Sequence, residues 1–284
     1  PAAPLANGIP ARIVRTIPPD TYAFAPKGID TIYHAYRNAI SGAQSYIYLE
    51  SQYLWQHVFV GLEGKRWGEH SAEMTALLAD LAAALRRGVR VALVLPDHPN
   101  AGRRFTDDGI TDVRQRAGDA ADAFNVFTLG NSEVDPDAPG GVHYRPVYVH
   151  AKVALVDDAW WTAGSANLNS RGMRTDAELN VAVEDVVTAQ ALRSTLWTEH
   201  MHPTPEERQA LVDPLEGLSA LELRAAANEA RVRNREPLVG HLLPYITAAE
   251  ARDRGLPVDP DHGWLDALPG GAGALPAKYA HRYL

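Results

Sequence analysis

Apolar positions recur at helical spacing over 29–42, where Ile32, Ala35, Ala39 and Ile40 share one face. The period then shortens to strand-like over 44–50, through Tyr46, Ile47, Tyr48 and Leu49. Ser71 is placed to cap an Ala- and Leu-rich helix over about 72–87, closed by Arg86, Arg87 and Gly88. The short apolar run 90–96 suits a strand covered on both faces. A helix over about 111–121 and a strand over 124–129 continue the alternation. Residues 146–156 read as one long strand, 160–163 as its partner after a turn at Asp157 and Asp158, and 178–183 as a third. Helices are expected at about 186–199 and 205–232.

Helix and strand in alternation predict an α/β fold, a β-sheet sandwiched between helices. The tight turn at Asp157 requires antiparallel neighbours, so the sheet is mixed. Residues 1–28 are expected to form a linker and lead-in strand, and 29–202 an α/β domain. The remainder, 203–284, reads as helices and a Pro- and Gly-rich wrapping tail of the same domain. The opening from Pro1 to Gly8 reads as a linker or the cut end of a processed protein.

Of the 284 residues, 46% are hydrophobic and 22% charged, the balance of a globular protein. A net charge of −8 argues against a broad grip on nucleic acid. There is no cysteine, which excludes disulfides and thiolate metal sites. No apolar run approaches the roughly 18 residues of a membrane span. Two long loops interrupt the regular pattern. One, 53–70, carries Tyr53, Trp55, Val58, Phe59 and Trp67; the other, 130–144, is rich in Gly, Pro and Asp and ends at Tyr144. Loops of this length are often functional, and exposed aromatics suit an apolar–aqueous boundary. Tyr53, Trp55 and Tyr144 are therefore candidates for contact at such a boundary.

The chemistry concentrates in one stretch of pattern H-x-K-x4-D-x6-G-S-x-N, running from His150 and Lys152 through Asp157 to Gly164, Ser165 and Asn167, with Glu178 beyond. Residues two apart on a strand share a face, so His150 and Lys152 lie about 7 Å apart on one side. Imidazole titrates near neutrality and can attack or move a proton. The ammonium of Lys152 can clamp negative charge. Asp157, at odd parity, reads as a turn-fixing residue or ion-pair partner. Gly164 permits close backbone approach. Ser165 and Asn167 supply donors at an expected helix start, where free N–H groups favour anions. Glu178 opens the next strand, where a carboxylate can hold the His150 ring and fix its tautomer. Together these groups describe a phosphoryl site centred on a histidine. No second His or Cys stands at ligand spacing and Lys152 repels cations, so no metal is expected. The pair His200 and His202 reads as structural. Ser165 is outside any G-x-S-x-G elbow, and no dinucleotide or P-loop glycine pattern occurs.

These residues resemble the HKD motif of the phospholipase D superfamily, and their surroundings are similar to the C-terminal half of its two-motif members. Ala35, Tyr36, Ala39 and Ile40 followed by 46–53 look like the opening of that half. Ser194, Leu196, Trp197, Glu199 and His200, then Gly240 to Leu243, look like its later landmarks; the likeness spans about 29–245. The resemblance implies a two-step transfer through a phosphohistidine, in which one motif histidine attacks phosphorus and the other protonates the leaving alcohol. It gives catalytic parts to His150, Lys152, Asp157 and Glu178 and phosphate binding to Lys152, Ser165 and Asn167, with His150 as the acid. It requires no metal or other cofactor.

Only one H-x-K-x4-D occurs in the sequence. The chain is then the C-terminal half of a longer or cleaved enzyme, one copy of a homodimer that pairs two motifs, or an inactive half with a lipid-binding role. The likeness to a second half favours the first. The expected activity is phospholipase D hydrolysis and transphosphatidylation of glycerophospholipids at a membrane or micelle surface, by an exported protein. The alternatives are a phosphatidyltransferase and a single-motif homodimeric phosphodiesterase or nuclease.

Overall fold

A computed structural model describes residues 8–58, 69–99, 101–259, 262–265, 267 and 268. Phe59 and Trp67 of the first aromatic loop lie outside the described residues. The strands are β1 (Ala11–Ile17), β2 (Ile29–Asp30), β3 (Tyr46–Glu50), β4 (Arg90–Val94), β5 (Phe124–Val134), β6 (Val142–Pro146), β7 (Val153–Val156), β8 (Trp160–Gly164), β9 (Glu178–Glu184) and β10 (Leu242–Pro244). The helices are α1 (Thr31–Gly42), α2 (Ala72–Arg86), α3 (Arg103–Ala117), α4 (Val186–Met201), α5 (Pro205–Ala210), α6 (Pro214–Arg233) and α7 (Ala248–Asp253).

The strands form one sheet in the order β10-β5-β4-β3-β7-β8-β9-β1-β2, with β6 paired to β5. The pairs β3–β4 and β4–β5 are parallel and the others antiparallel, so the sheet is mixed and sandwiched between helices. Alternation along β3 explains the two layers. Ile47 and Leu49 pack with α1, α2 and α3, whereas Tyr46 and Tyr48 pack with α4 and α6 around Trp197. A third cluster gathers Tyr144 with Val232, Leu243, Trp264 and Leu265, which fastens the C-terminal segment to β5 and β6.

Three expectations are corrected by the fold. The strand expected over 146–156 is divided: β6 ends at Pro146, 147–152 belong to no strand, and β7 begins at Val153. The cause is topological, because β6 belongs to β5 whereas β7 lies between β3 and β8, and the chain must cross the sheet edge between them. The helix expected over 205–232 is two, broken at Asp213, which caps α6 through bonds of 2.9 Å from Leu215 N and Glu216 N, with Pro214 opening that helix. The helix expected at 111–121 begins at Arg103, and its tail, Gly118–Ala123, is a 3-10 segment.

Candidate active site

The parallel strands β3, β4 and β5 all point their C-terminal ends to one edge of the sheet, where α/β folds commonly bind ligands. At that edge Glu50 stands opposite both Val94 and Val153, so the end of β3 meets the start of β7. Val153 pairs with Ala163, and Gly164 with Asn180, which brings the end of β8 and the start of β9 to the same place. The motif residues therefore converge through strand register alone.

Lys152 is buried, and its Nζ donates to the carbonyl of His150 at 2.6 Å. The Gly164 N–H donates to the carbonyl of Lys152 at 3.1 Å, joining the His–Lys arm to the Gly–Ser loop. A side chain at Gly164 would meet Asn180 Oδ1 and the carbonyl of Leu179, each 2.3 Å from its Cβ. Only glycine allows β8 to pass β9 this closely. Ser165 Oγ donates to Glu178 Oε2 and accepts the Leu179 N–H at 3.1 Å. Asn167 reaches Gln52 twice at 3.4 Å, its amide to Gln52 Oε1 and its Oδ1 from the Gln52 N–H.

Burial lowers the pKa of Lys152 to about 8, against an opposing pull from Glu178. Burial likewise raises the Glu178 carboxyl, and the neighbouring Asp176 adds to it, while Ser165, Lys152 and Arg171 lower it. His150 is held below ordinary imidazole by burial and by the charge of Lys152. A partly desolvated cation, a neutral imidazole and paired amide and hydroxyl groups make a place for a phosphate-like anion. An anion there would push both His150 and Lys152 back toward their protonated forms.

Some expected residues stand elsewhere. Asp157 closes the far end of β7, about 16 Å of strand from Lys152. Its carboxylate accepts the backbone N–H groups of Gln44, Ser45 and Tyr46 at 2.7, 2.9 and 2.8 Å, so it fixes the turn and touches no motif partner. Glu178 engages Ser165 and faces Lys152; it makes no hydrogen bond to the His150 ring. No helix starts at Ser165, since 165–169 form a loop that runs into a π-helical turn at Arg171–Thr175. Tyr144 is not a surface aromatic: it is buried in the third core cluster and donates to the Glu236 carbonyl at 2.7 Å. Trp55 is also buried, with Nε1 donating to Thr106 Oγ1 at 3.0 Å. Tyr53 is half-buried, its ring 4.2 Å from that of Trp55, and its hydroxyl accepts from Gln52.

Two neighbours escaped sequence reasoning. Tyr148 lies nearly parallel to the His150 ring, centroids 5.8 Å apart and planes 17° apart. Gln52 donates to the Tyr148 hydroxyl and exchanges hydrogen bonds with Asn167. The signals were parity for Tyr148, two residues before His150, and the polar run Glu50, Ser51 and Gln52 at the end of an apolar strand for the other. Deeper, His200 Nε2 lies 3.0 Å from Glu50 Oε1, which also accepts the Tyr48 hydroxyl at 2.6 Å, a satisfied core histidine. Among the described residues no group of His, Asp or Glu is arranged to hold a metal, and no helix is long and apolar enough to cross a membrane.

Residues 36–199, more than half the chain, match the family described as cardiolipin synthase, PLD-like domain. Phospholipase D zeta 1 of Arabidopsis thaliana is 25% identical over 230 residues, covering 66% of this chain and 20% of that protein. Cardiolipin synthase B of Escherichia coli K12 is 34% identical over 116 residues, 41% of this chain and 24% of that protein. The chain thus spans about a fifth to a quarter of the length of these relatives. Among solved structures, Nuc of Salmonella typhimurium, a phospholipase D family member, aligns with 64% of this chain and 88% of its own at 16% identity and a TM-score of 0.41. With the family match lying across the whole of the motif edge, the chain belongs to the phospholipase D superfamily of phosphodiesterases and transferases.

Proposed function

We propose that this chain supplies one of the two HKD motifs of a phospholipase D-type enzyme acting on glycerophospholipids. The observation that carries the reading is the convergence of His150, Lys152, Ser165 and Asn167 at one sheet edge, with Lys152 desolvated among them. In the reaction a histidine of the second motif, from another half or another copy, attacks phosphorus. A P–N bond forms as the bond to the leaving alcohol breaks, and His150 delivers its proton to that alcohol. Water or an acceptor alcohol then attacks phosphorus, its proton passes to His150, and the P–N bond breaks. Lys152, Ser165 and Asn167 meet the phosphate oxygens, where charge grows in each transition state. Substrate phosphate raises the His150 pKa and so recruits the proton that the first step spends.

The test is His150→Asn in the enzyme assembled with its second motif, on phosphatidylcholine vesicles. Choline release is expected to fall by at least about 10²-fold, the scale of a general acid–base contribution, with an unchanged melting temperature. Full retention of choline release would sink the reading. The match to a family described as cardiolipin synthase, with 34% identity to one such enzyme over 116 residues, favours a second reading as a phosphatidyltransferase. Phosphatidylglycerol vesicles separate the two: a transferase makes cardiolipin and glycerol, a hydrolase phosphatidic acid and glycerol.

A further inference from the structure

The arm 147–152 is tied by backbone bonds at its ends, Val147 N–H to the Leu129 carbonyl and Gly164 N–H to the Lys152 carbonyl, while His150 itself lies outside every strand ladder. Orienting the imidazole falls to side chains, and one buried amide is placed for it. Gln52, just past the end of β3, is 5% exposed. A carboxamide has two N–H donors, and Gln52 Nε2 reaches two phenol oxygens, Tyr53 at 2.6 Å and Tyr148. Its oxygen accepts from Asn167 Nδ2, and its backbone N–H returns to Asn167 Oδ1. Tyr148 in turn lies along the His150 ring. A buried amide bonded on both its donor and its acceptor side has no freedom to rotate without losing partners, and each lost partner is costly in a low-dielectric setting.

We propose that Gln52 is a positioning residue that orients the His150 ring through the Tyr148 hydroxyl and holds the Asn167 amide at a fixed place relative to that ring. It links the His–Lys arm to the Ser–Asn loop, beside the Gly164–Lys152 backbone bond and the Glu178 carboxylate that engages Ser165 and faces Lys152. The catalytic meaning of this link rests on the phosphodiesterase reading above; the positioning itself does not.

The test therefore has one readout without turnover and one with it. The His150 ring protons are identified in the NMR spectrum of the chain by their loss in His150→Asn. Two variants are compared: Gln52→Met, which keeps length but not hydrogen bonds, and Tyr148→Phe, which keeps the ring and removes only its hydroxyl. Tyr148 is 40% exposed, so its variant leaves the core intact even where Gln52→Met disturbs folding. Both variants are expected to move the His150 signals in the same direction, away from the shielding of the neighbouring phenol. The double variant should move them no further than the larger single change, since both break one link. In the assembled enzyme, on a soluble phosphodiester, kcat should fall about ten- to hundredfold with KM within about twofold, the effect of misplacing a reacting group by about an ångström. His150 signals unmoved in Tyr148→Phe would overturn the proposal and leave Gln52 a packing role. Absence of any turnover in the unmodified enzyme would count against the phosphodiesterase reading, and the NMR comparison would still decide the positioning.

Discussion

The two ends of β7 treat charge in opposite ways. At its start, Lys152 is buried with a carbonyl as its hydrogen-bond partner, and Glu178, the carboxylate whose charge acts on it, is occupied by Ser165. At its end, Asp157 accepts three backbone N–H groups. Beside it Asp158 takes a two-point grip from Arg193, 2.7 Å to Nε and 2.9 Å to Nη2, and also accepts the Tyr46 hydroxyl at 2.6 Å. Arg193 gives two further N–H groups to the carbonyls of Leu211 and Val212. One end leaves charge under-compensated, which suits an incoming anion. The other saturates it, which suits a fixed turn. A single sequence motif thus contains a chemical half and an architectural half, five positions apart from Lys152 to Asp157.

Breaking the saturated end should have the largest effect on stability. Asp158→Ala leaves the Arg193 guanidinium, 2% exposed, without its carboxylate and is expected to cost about 3–5 kcal/mol, read as a lower denaturant midpoint. Breaking the other end should do the reverse. Lys152→Met removes a buried cation and should cost about 10²- to 10³-fold in kcat, the scale of losing one donor to a developing oxyanion, while stability holds or rises. A stability loss matching that of Asp158→Ala would erase the distinction between the ends. Asp157→Ala should fall between, at about 1–3 kcal/mol of stability from amides left unpaired, with residual activity in the folded fraction.

The smallest effect is a pH signature. With its pKa lowered to about 8 from 10.5, Lys152 binds its proton less tightly folded than unfolded. The unfolded chain carries the extra proton between those values, so stability contributed by this group rises with pH across about 8 to 10.5. Activity should fall over the lower part of the same window as the ammonium is lost. Denaturant midpoints measured from pH 7.5 to 10.5 in the native chain and in Lys152→Met would show the slope, and its survival in the variant would assign it to another group.

The α/β sandwich is legible in the sequence because most elements carry their own period. The Ser71 cap, the Asp157–Asp158 turn and the apolar run of β4 each point to one local structure. Structure is not legible where partners rather than propensity decide. Val147 and Val149 look the same in a ladder and in an extended crossing, so the break between β6 and β7 left no local mark. Tyr144 and Trp55 show the same ambiguity, since an aromatic in a loop reads alike whether it packs inward or faces solvent. The motif residues were legible as types and spacings, and Asp157 as a turn-fixing residue, but the engagement of Glu178 with Ser165 in place of the His150 ring was not. That Glu178 serves Ser165 and Lys152 follows from the register of β8 against β9, a non-local fact.

The grip of Asp157 on the amides of 44–46 also bears on transplanting this site. Those amides begin β3, whose other end stands opposite Val153 and leads directly into Gln52. A slip of one residue between β3 and β7 would turn every β7 side chain to the other face and shift the segment carrying His150 and Lys152 away from the end of β3. Asp157 therefore works as an alignment pin set at the end of the strand remote from the chemistry. A designer grafting the histidine, lysine, serine and asparagine onto another scaffold would have to carry this pin and its three amide sockets along with them.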